Sequence, residues 1–450
     1  MISFFLALFI SFQLFLNKGG YKSLLWGMIG LIVINKKILV QIPTVMHFHL
    51  WICFSFLMLA LYYFPRFKKN LKYFPLKKTL LFLMLCSFTV GILDPRLTIW
   101  HKIRFPLFEI VGTYLPIFLG YFCINSIYDI NKLIKPIAIT MIFVGLYGVF
   151  NYVTKSNPYY SWVIASFFSG GEMDLESAMR VLDGESTRYR AVSTFDSPFN
   201  YGYVSALFAL FFSYCLSLKK YNRIGKKVLN VSLALSIIGV FICFSRTVLS
   251  ALIISYLVYF LFSTLSTKLK YTFITIIFLG FTYATVPAVQ KASTNLVEVF
   301  TKGGKDLGGS SIEMRSLQFF GALKYFEQSP IRGNGYAYIA RELGWADRDG
   351  GSLDEDMYGF ESIIYKLMIE QGIIGISGIV IFFVAIFRFL LRKKKVDKQL
   401  SILGVSIATL FLAFSIGTGS LGAWPFTMLL LGVIIKTIQL KEITKKIYEI

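Results

Sequence analysis

Four ionisable residues of this sequence stand out: Arg190, Arg246 and Glu361 near the edges of long apolar runs, where charge is costly and therefore informative, and Arg315 in a long hydrophilic stretch between runs. Arg190 opens the segment Arg190-Ala191-Val192-Ser193-Thr194-Phe195-Asp196-Ser197-Pro198-Phe199-Asn200, with Arg188 two residues before it. Pro198 and Asn200 are turn and helix-start signals, so both arginines sit just ahead of the next run. Arg246, in Phe244-Ser245-Arg246-Thr247, lies between two apolar runs with hardly any loop around it. An ionisable residue at such a tip marks a functional site by default. Arginines in these positions either serve a ligand or snorkel to head groups and pair with loop carboxylates. Glu361 stands at the mouth of another apolar run. A carboxylate at a dehydrated mouth near external arginines can act as a general base. Its structural alternative is a helix-start Glu favoured by the helix dipole. Lys366 and Glu370, four apart on the helix that follows, can pair.

Other motifs surround these residues. Residues 311–328 predict one amphipathic helix with Arg315 in its first turns and Ile312, Phe319, Leu323 and Phe326 along one side. Such a helix can lie on the bilayer surface without any ligand. It ends at Ser329-Pro330 and leads into Arg332-Gly333-Asn334-Gly335-Tyr336, a turn whose glycines permit unusual backbone angles. A Gly-x-Gly alone is weak support for phosphate binding. An acidic run follows over 347–356, with Asp347, Asp349, Asp354 and Asp356 in two Asp-x-Asp triplets. Its spacing is not that of an EF-hand, and a solvated acidic loop is the favoured reading. His47 and His49 at the edge of a run lack carboxylate or cysteine company, so interface placement is favoured over a metal site. His101 completes the histidines. The five cysteines (Cys53, Cys86, Cys123, Cys215, Cys243) all lie within apolar runs and read as small buried hydrophobes.

The elements that must position these residues are membrane helices. The 450 residues are 56% hydrophobic, 17% aromatic and only 16% charged, against about 25% charged in soluble domains. Apolar runs fall near 2–16, 23–34, 46–64, 79–93, 107–124, 136–154, 201–218, 228–244, 247–265, 271–287, 363–387, 399–417 and 421–437. Many reach the ~20 residues that cross a bilayer as helix. The expected fold is all-α and polytopic, with about 12–13 spans. The run 2–16 reads as an anchor or half-helix, not a removed signal peptide.

The net charge of +22 would raise nucleic acid as a partner in a soluble chain, but its distribution argues otherwise. The hydrophilic stretch 155–200 holds six acidic and four basic residues, and 288–362 holds eleven and eight. Together they carry −5, leaving +27 on the rest of the chain. Basic clusters at 66–78, 219–227, 388–398 and 436–446 fall on one side when spans are counted, and both stretches fall on the other. The positive-inside rule makes the basic side cytoplasmic and the long loops periplasmic or external, with the C-terminus inside. The basic excess is a topology signal with some attraction to anionic lipid. The expected organisation is an N-terminal bundle over 1–154, a first external loop over 155–200 and central helices over 201–287. A large external loop over 288–362 and C-terminal helices over 363–450 complete it.

In order and sidedness these motifs resemble the O-antigen ligase and Wzy-type polysaccharide polymerase family of membrane glycosyltransferases. The resemblance covers roughly residues 185–435 and includes a large external loop before the last three spans. The family pattern Arg-x-x-Gly-Thr-Phe-x-x-Pro-Asn is similar to residues 190–199, with Arg190, Thr194, Phe195 and Pro198 matching. Ser193 replaces its glycine, and the asparagine falls one position later, at Asn200. Ser245-Arg246-Thr247 resembles the family's Ser-Arg-Gly/Thr hairpin. Arg315, Ser329-Pro330 and Gly333-x-Gly335 resemble the pattern of its large loop. Glu370-Gln371-Gly372-Ile373-Ile374-Gly375 matches its Glu-x-Gly-x-x-Gly run, and Glu361 stands where the ligase has histidine.

The resemblance implies a GT-C-like fold in a bacterial inner membrane. It implies polymerisation of undecaprenyl-pyrophosphate-linked repeat units into O-antigen or capsular polysaccharide. Transfer of the glycan to lipid A core is the alternative, and a lipid-linked oligosaccharide flippase is a second one. Partners would be the lipid-linked donor, an acceptor glycan, the bilayer and a chain-length regulator. Arg190, Arg246 and Arg315 would grip the pyrophosphate, because arginine stays charged and binds phosphate oxygens bidentately. Glu361 would take the proton of the attacking hydroxyl, with Arg188, Arg332 and Tyr365 in support. Neither a metal nor a cofactor is expected.

Overall fold

The computed structural model describes residues 16, 20–33, 64–159, 180–183, 186–195, 197–218, 223–262, 312–342, 362–418, 422 and 424–448. The runs 2–16 (apart from residue 16), 46–64 (apart from its last residue) and 271–287, the acidic run 347–356 and Glu361 lie outside the described residues, as do Cys53, His47 and His49.

The described chain is helical apart from one hairpin. Its helices are α1 (Tyr21–Val33), α2 (Phe64–Tyr73), α3 (Lys77–Leu93), α4 (Ile99–Glu109), a π-helical turn (Ile110–Tyr114), α5 (Pro116–Cys123) and α6 (Ile127–Thr154). Strands β1 (Arg180–Asp183) and β2 (Ser186–Tyr189) pair antiparallel, with Val181 opposite Arg188. Then come α7 (Pro198–Ser217), α8 (Arg223–Ile242), α9 (Arg246–Phe262), α10 (Ile312–Gln328), α11 (Tyr338–Glu342), α12 (Ile363–Arg392), α13 (Lys398–Ile416) and α14 (Trp424–Tyr448). Among the described residues five helices are long and apolar enough to cross a membrane, or seven if each of two bent pairs is one span. The protein is therefore a polytopic helical membrane protein, since only internally bonded backbone is stable in hydrocarbon.

Local sequence sets the helix ends. Ser126 and Asp129 form a capping box that opens α6. Ser197 accepts from the Asn200 N–H to start α7, and Asp397 from the Leu400 N–H to start α13. Helix α7 is buried along nearly all its length and is apolar all round, as a central helix must be. Around it pack α8, α9 and α13, with α6 against α8, α5 against α14 and α3 against α12. Outer helices turn apolar stripes outward, such as Leu81, Leu85 and Ile92 on α3 and Ile253, Leu257 and Leu261 on α9. Exposed stripes of this kind fit lipid as the surrounding solvent. Cys86, Cys123, Cys215 and Cys243 are buried, as small hydrophobes should be.

The two ends of the bundle differ. At one, Lys393 pairs with Glu442 at 2.6 Å, Lys441 pairs with Asp397, and Lys436 donates to Asn70 at 3.0 Å. At the other, the Ala191 N–H donates to the Ile242 carbonyl at 2.9 Å and the Ile363 N–H to the Thr418 carbonyl at 2.8 Å. Arg332 reaches the Leu93 carbonyl there at 3.2 Å. The described basic segments thus gather at the first end, and the segments that carry the candidate arginines gather at the second.

Candidate functional site

The segment after Arg190 is locked into the bundle by its own polar atoms. Ser193 Oγ donates to the Val144 carbonyl at 2.7 Å, and Asn157 Nδ2 donates to the Ser193 carbonyl at 2.9 Å. Thr194 Oγ1 donates to the Ile32 carbonyl at 2.7 Å. Ser193 has φ +54°, in the left-handed region that favours glycine. Arg190 itself is half-buried, with its guanidinium 5.9 Å from the Phe199 ring centroid. The Ala191–Ile242 hydrogen bond sets this segment directly against the turn that precedes Arg246.

Arg246 is the first residue of α9 and is exposed, after a turn of three residues in which Phe244 has φ +47°. The tight tip expected from the sequence is thus present. Thr247 Oγ1 donates to the Gly417 carbonyl at 3.2 Å, and the neighbouring Thr418 carbonyl accepts from Ile363. Ser362, buried, caps α12 by accepting from the Tyr365 N–H at 3.4 Å. A continuous set of contacts therefore runs from Arg190 through the Arg246 turn and Thr418 to Ser362, the residue after Glu361.

A second constellation lies where α12 breaks. Gly372 has φ +58° and ψ −158°, so the helix is unwound there. The Asn334 N–H donates to the Ile369 carbonyl at 2.7 Å and the Gly335 N–H to the Glu370 carbonyl at 2.9 Å. In return, the Ile373 and Ile374 N–H groups donate to the Pro330 and Ile331 carbonyls at 2.9 and 3.1 Å. The loop turn supplies the partners that the broken helix lost. Gly333 and Gly335, at φ +73° and +94°, make this approach sterically possible. Because the Gly333 N–H donates to Ser329, every N–H of the Gly-x-Gly is occupied. That excludes the phosphate-cradle reading of this motif: its glycines serve the fold.

Around the break lies a buried polar group that the sequence reading passed over. Glu109, at the start of the π-helical turn, accepts from Tyr336 Oη at 2.7 Å and from Gln371 Nε2 at 2.9 Å on both oxygens. Tyr114 Oη lies 3.4 Å from the same carboxylate. Burial, followed by the Glu109 carboxylate, holds the Tyr336 phenol well above its ordinary range, so it donates as a neutral hydroxyl. Asp94, its carboxylate almost wholly buried, accepts from the Arg96 backbone N–H at 3.0 Å and from Arg96 Nε at 3.1 Å. A sequence signal for Glu109 existed: it is the one acidic residue in the run 107–124.

One expectation changes. Lys366 and Glu370 do not meet as a contact ion pair. Glu370 is buried, its Oε1 left without a hydrogen-bond partner among the described residues, with Lys366, Ala337 and Ile339 near its carboxylate. The side chain sits beside the helix break at Gly372, against the docked loop. In α10, the buried face is Gln318, Gly321, Ala322 and Tyr325, while Phe319 and Phe320 are 39% and 61% exposed. Small residues let α10 approach α12, and the phenylalanines point outward. Phe319 still touches Tyr365, with ring centroids 5.7 Å apart.

Of the remaining expected residues, Tyr365 is half-buried near the start of α12 and Arg332 is exposed. Arg315 lies in the first turn of α10 and Arg188 in β2, while their side chains lie outside what is described. Among the described residues no group of three His, Cys, Asp or Glu converges as a metal site. His101 instead lies 2.7 Å from Thr98 Oγ1 and stacks on Phe105. Compared with models of known protein families and with curated proteins, the chain gives no match.

Proposed function

We propose that this protein is a membrane glycosyltransferase that polymerises undecaprenyl-pyrophosphate-linked oligosaccharide repeat units into O-antigen or capsular polysaccharide. A sugar hydroxyl of the acceptor attacks the anomeric carbon of the donor, and the bond from that carbon to the pyrophosphate oxygen breaks. Glu361 takes the hydroxyl proton, and the lipid pyrophosphate leaves with the bonding pair. Arg190, Arg246 and Arg315 meet the charge that develops on the leaving group, with Arg188, Arg332 and Tyr365 in support. Donors aimed where charge develops are often the largest catalytic contribution. On this reading the candidate end faces the periplasm or exterior, and the basic end faces the cytoplasm.

The observation that carries the proposal is the contact series from the Arg190 segment through the Arg246 turn to the start of α12. Residues more than 170 positions apart in the sequence thereby share one mouth of the bundle. The φ +54° of Ser193 adds support, because the family pattern has glycine there. The test is purified protein in liposomes given one lipid-linked repeat unit. Chain growth is the expected result. Transfer only to lipid A core, or movement of the unit without bond formation, refutes the proposal.

A further inference from the structure

The basic end of the bundle carries a group of cations that the proposed chemistry does not use. Helix α2 bends by 99° from α3 and so lies across the end of the bundle, not along it. Phe67 on its inner face and Phe74 just past its end pack on Phe118 at centroid distances of 5.2 and 5.4 Å, with Asn70 buried between them. Its other face exposes Lys68, Lys69 and Lys72 together with Leu71 and Tyr73. Charged residues beside exposed apolar ones are the pattern of a helix lying at head-group level.

Lys436 of α14 comes up beneath this helix. Its half-buried ammonium donates to Asn70 Oδ1 at 3.0 Å and lies 4.5 Å from the Tyr121 ring centroid. Arg66 stands over the adjacent Phe122 ring at 5.6 Å. The charges that act on Lys436 are those of Arg66 and Lys69, both of the same sign. The acidic side chains of the adjoining segments are already engaged, Glu442 with Lys393 and Asp397 with Lys441. An ammonium has three donors, and among the described residues one is used here. Two like charges gathered around a half-buried ammonium, with no carboxylate paired to it among the described residues, call for an anion.

We propose that Arg66, Lys69 and Lys436 bind the phosphate of an anionic glycerophospholipid in the leaflet at the basic end. The phosphate accepts from the free donors of Lys436 and from Arg66 and Lys69, while the acyl chains lie along the exposed apolar surface beside α2. Basic pockets between membrane helices bind head groups in this manner. The site is independent of glycosyl transfer and of which leaflet faces the cytoplasm.

The test uses the full chain in zwitterionic nanodiscs, titrated with phosphatidylglycerol or with inorganic phosphate and followed by thermal unfolding, alongside native mass spectrometry of retained lipid. Wild type should gain thermal stability with phosphatidylglycerol and retain it on ejection from the disc. K436Q, and separately R66Q/K69Q on the more exposed side, should weaken half-saturation roughly fivefold per charge removed. K226Q/K227Q, at the same end but exposed and apart from the group, should leave it unchanged. Should K436Q fail to fold, R66Q/K69Q decides. Equal losses in K226Q/K227Q mean diffuse attraction and overturn the site. Equal stabilisation by inorganic phosphate at the same concentration overturns the lipid assignment, as does no response to either.

Discussion

The backbone N–H of Gly335 donates to the carbonyl of Glu370 at 2.9 Å, at the point where α12 is unwound. This bond and its three neighbours, all between backbone groups, fasten the large loop to a membrane helix, with Asn334 Nδ2 adding a donor to the Ile369 carbonyl at 3.3 Å. Irregular backbone at this depth is tolerated only when protein satisfies it. The loop turn and the break in α12 therefore require each other.

Replacing Gly335 by Ala should loosen that junction. Its φ of +94° is strained for any L side chain, and the added methyl would meet the Asp94 carboxylate. We expect a loss of about 1–3 kcal/mol of stability, read as a lower melting temperature in detergent. A melting curve identical to wild type would show that the turn does not hold the loop.

Glu109 and Tyr336 should be coupled. Y336F removes a donor to Glu109 and to the Ser87 carbonyl and should cost about 1 kcal/mol. E109A strands Tyr336, Gln371 and Tyr114 together and should cost more, roughly 2–3 kcal/mol. The double variant should cost less than the sum, by roughly 0.5 kcal/mol or more. Strict additivity in thermal or denaturant unfolding would contradict a shared network.

Arginine identity should matter at positions 190 and 246. R190K and R246K keep the charge but lose the planar fork, so chain growth in liposomes should fall well below wild type. R190A and R246A should lose roughly 100-fold or more. Full activity in the lysine variants would reduce both residues to membrane anchors.

E361Q should abolish transfer while the protein remains at normal levels in the membrane. Normal chain length in that variant would remove Glu361 as the base. Because neither a metal nor a cofactor takes part in the proposed step, transfer should also continue undiminished in excess chelator. Loss of activity restored by a divalent cation would count against the mechanism.

Much of this molecule could be read from its sequence, for a physical reason. A bilayer forces each long apolar run to satisfy its own backbone, so runs become helices wherever they meet it. Short-range side-chain bonds then end them, as Ser197, Asp397 and the Ser126–Asp129 box do. The separation of basic segments from the candidate arginines is likewise written along the chain, because alternate crossings send alternate connections to opposite ends. The tight tip at Arg246 follows from the near absence of residues between two runs.

Tertiary structure decided what meets what. Nothing local tells that Ser193 must take a left-handed backbone, since its Oγ partner, Val144, lies in another helix. Nothing local separates a Gly-x-Gly that cradles phosphate from one whose N–H groups are spent on a broken helix. Glu370 is not bonded to Lys366 one turn away, and Glu109 found Gln371 across 262 positions. Periodicity reports which residues can share a helix face. It does not report which neighbour covers that face, because packing partners are chosen by shape and by unsatisfied polar groups distant in sequence. The sequence by itself thus determined the helices, the separation of basic segments from the candidate arginines and the residue types available for chemistry. Only the folded bundle decided that the Arg190 segment, the Arg246 turn and the start of α12 stand at one mouth.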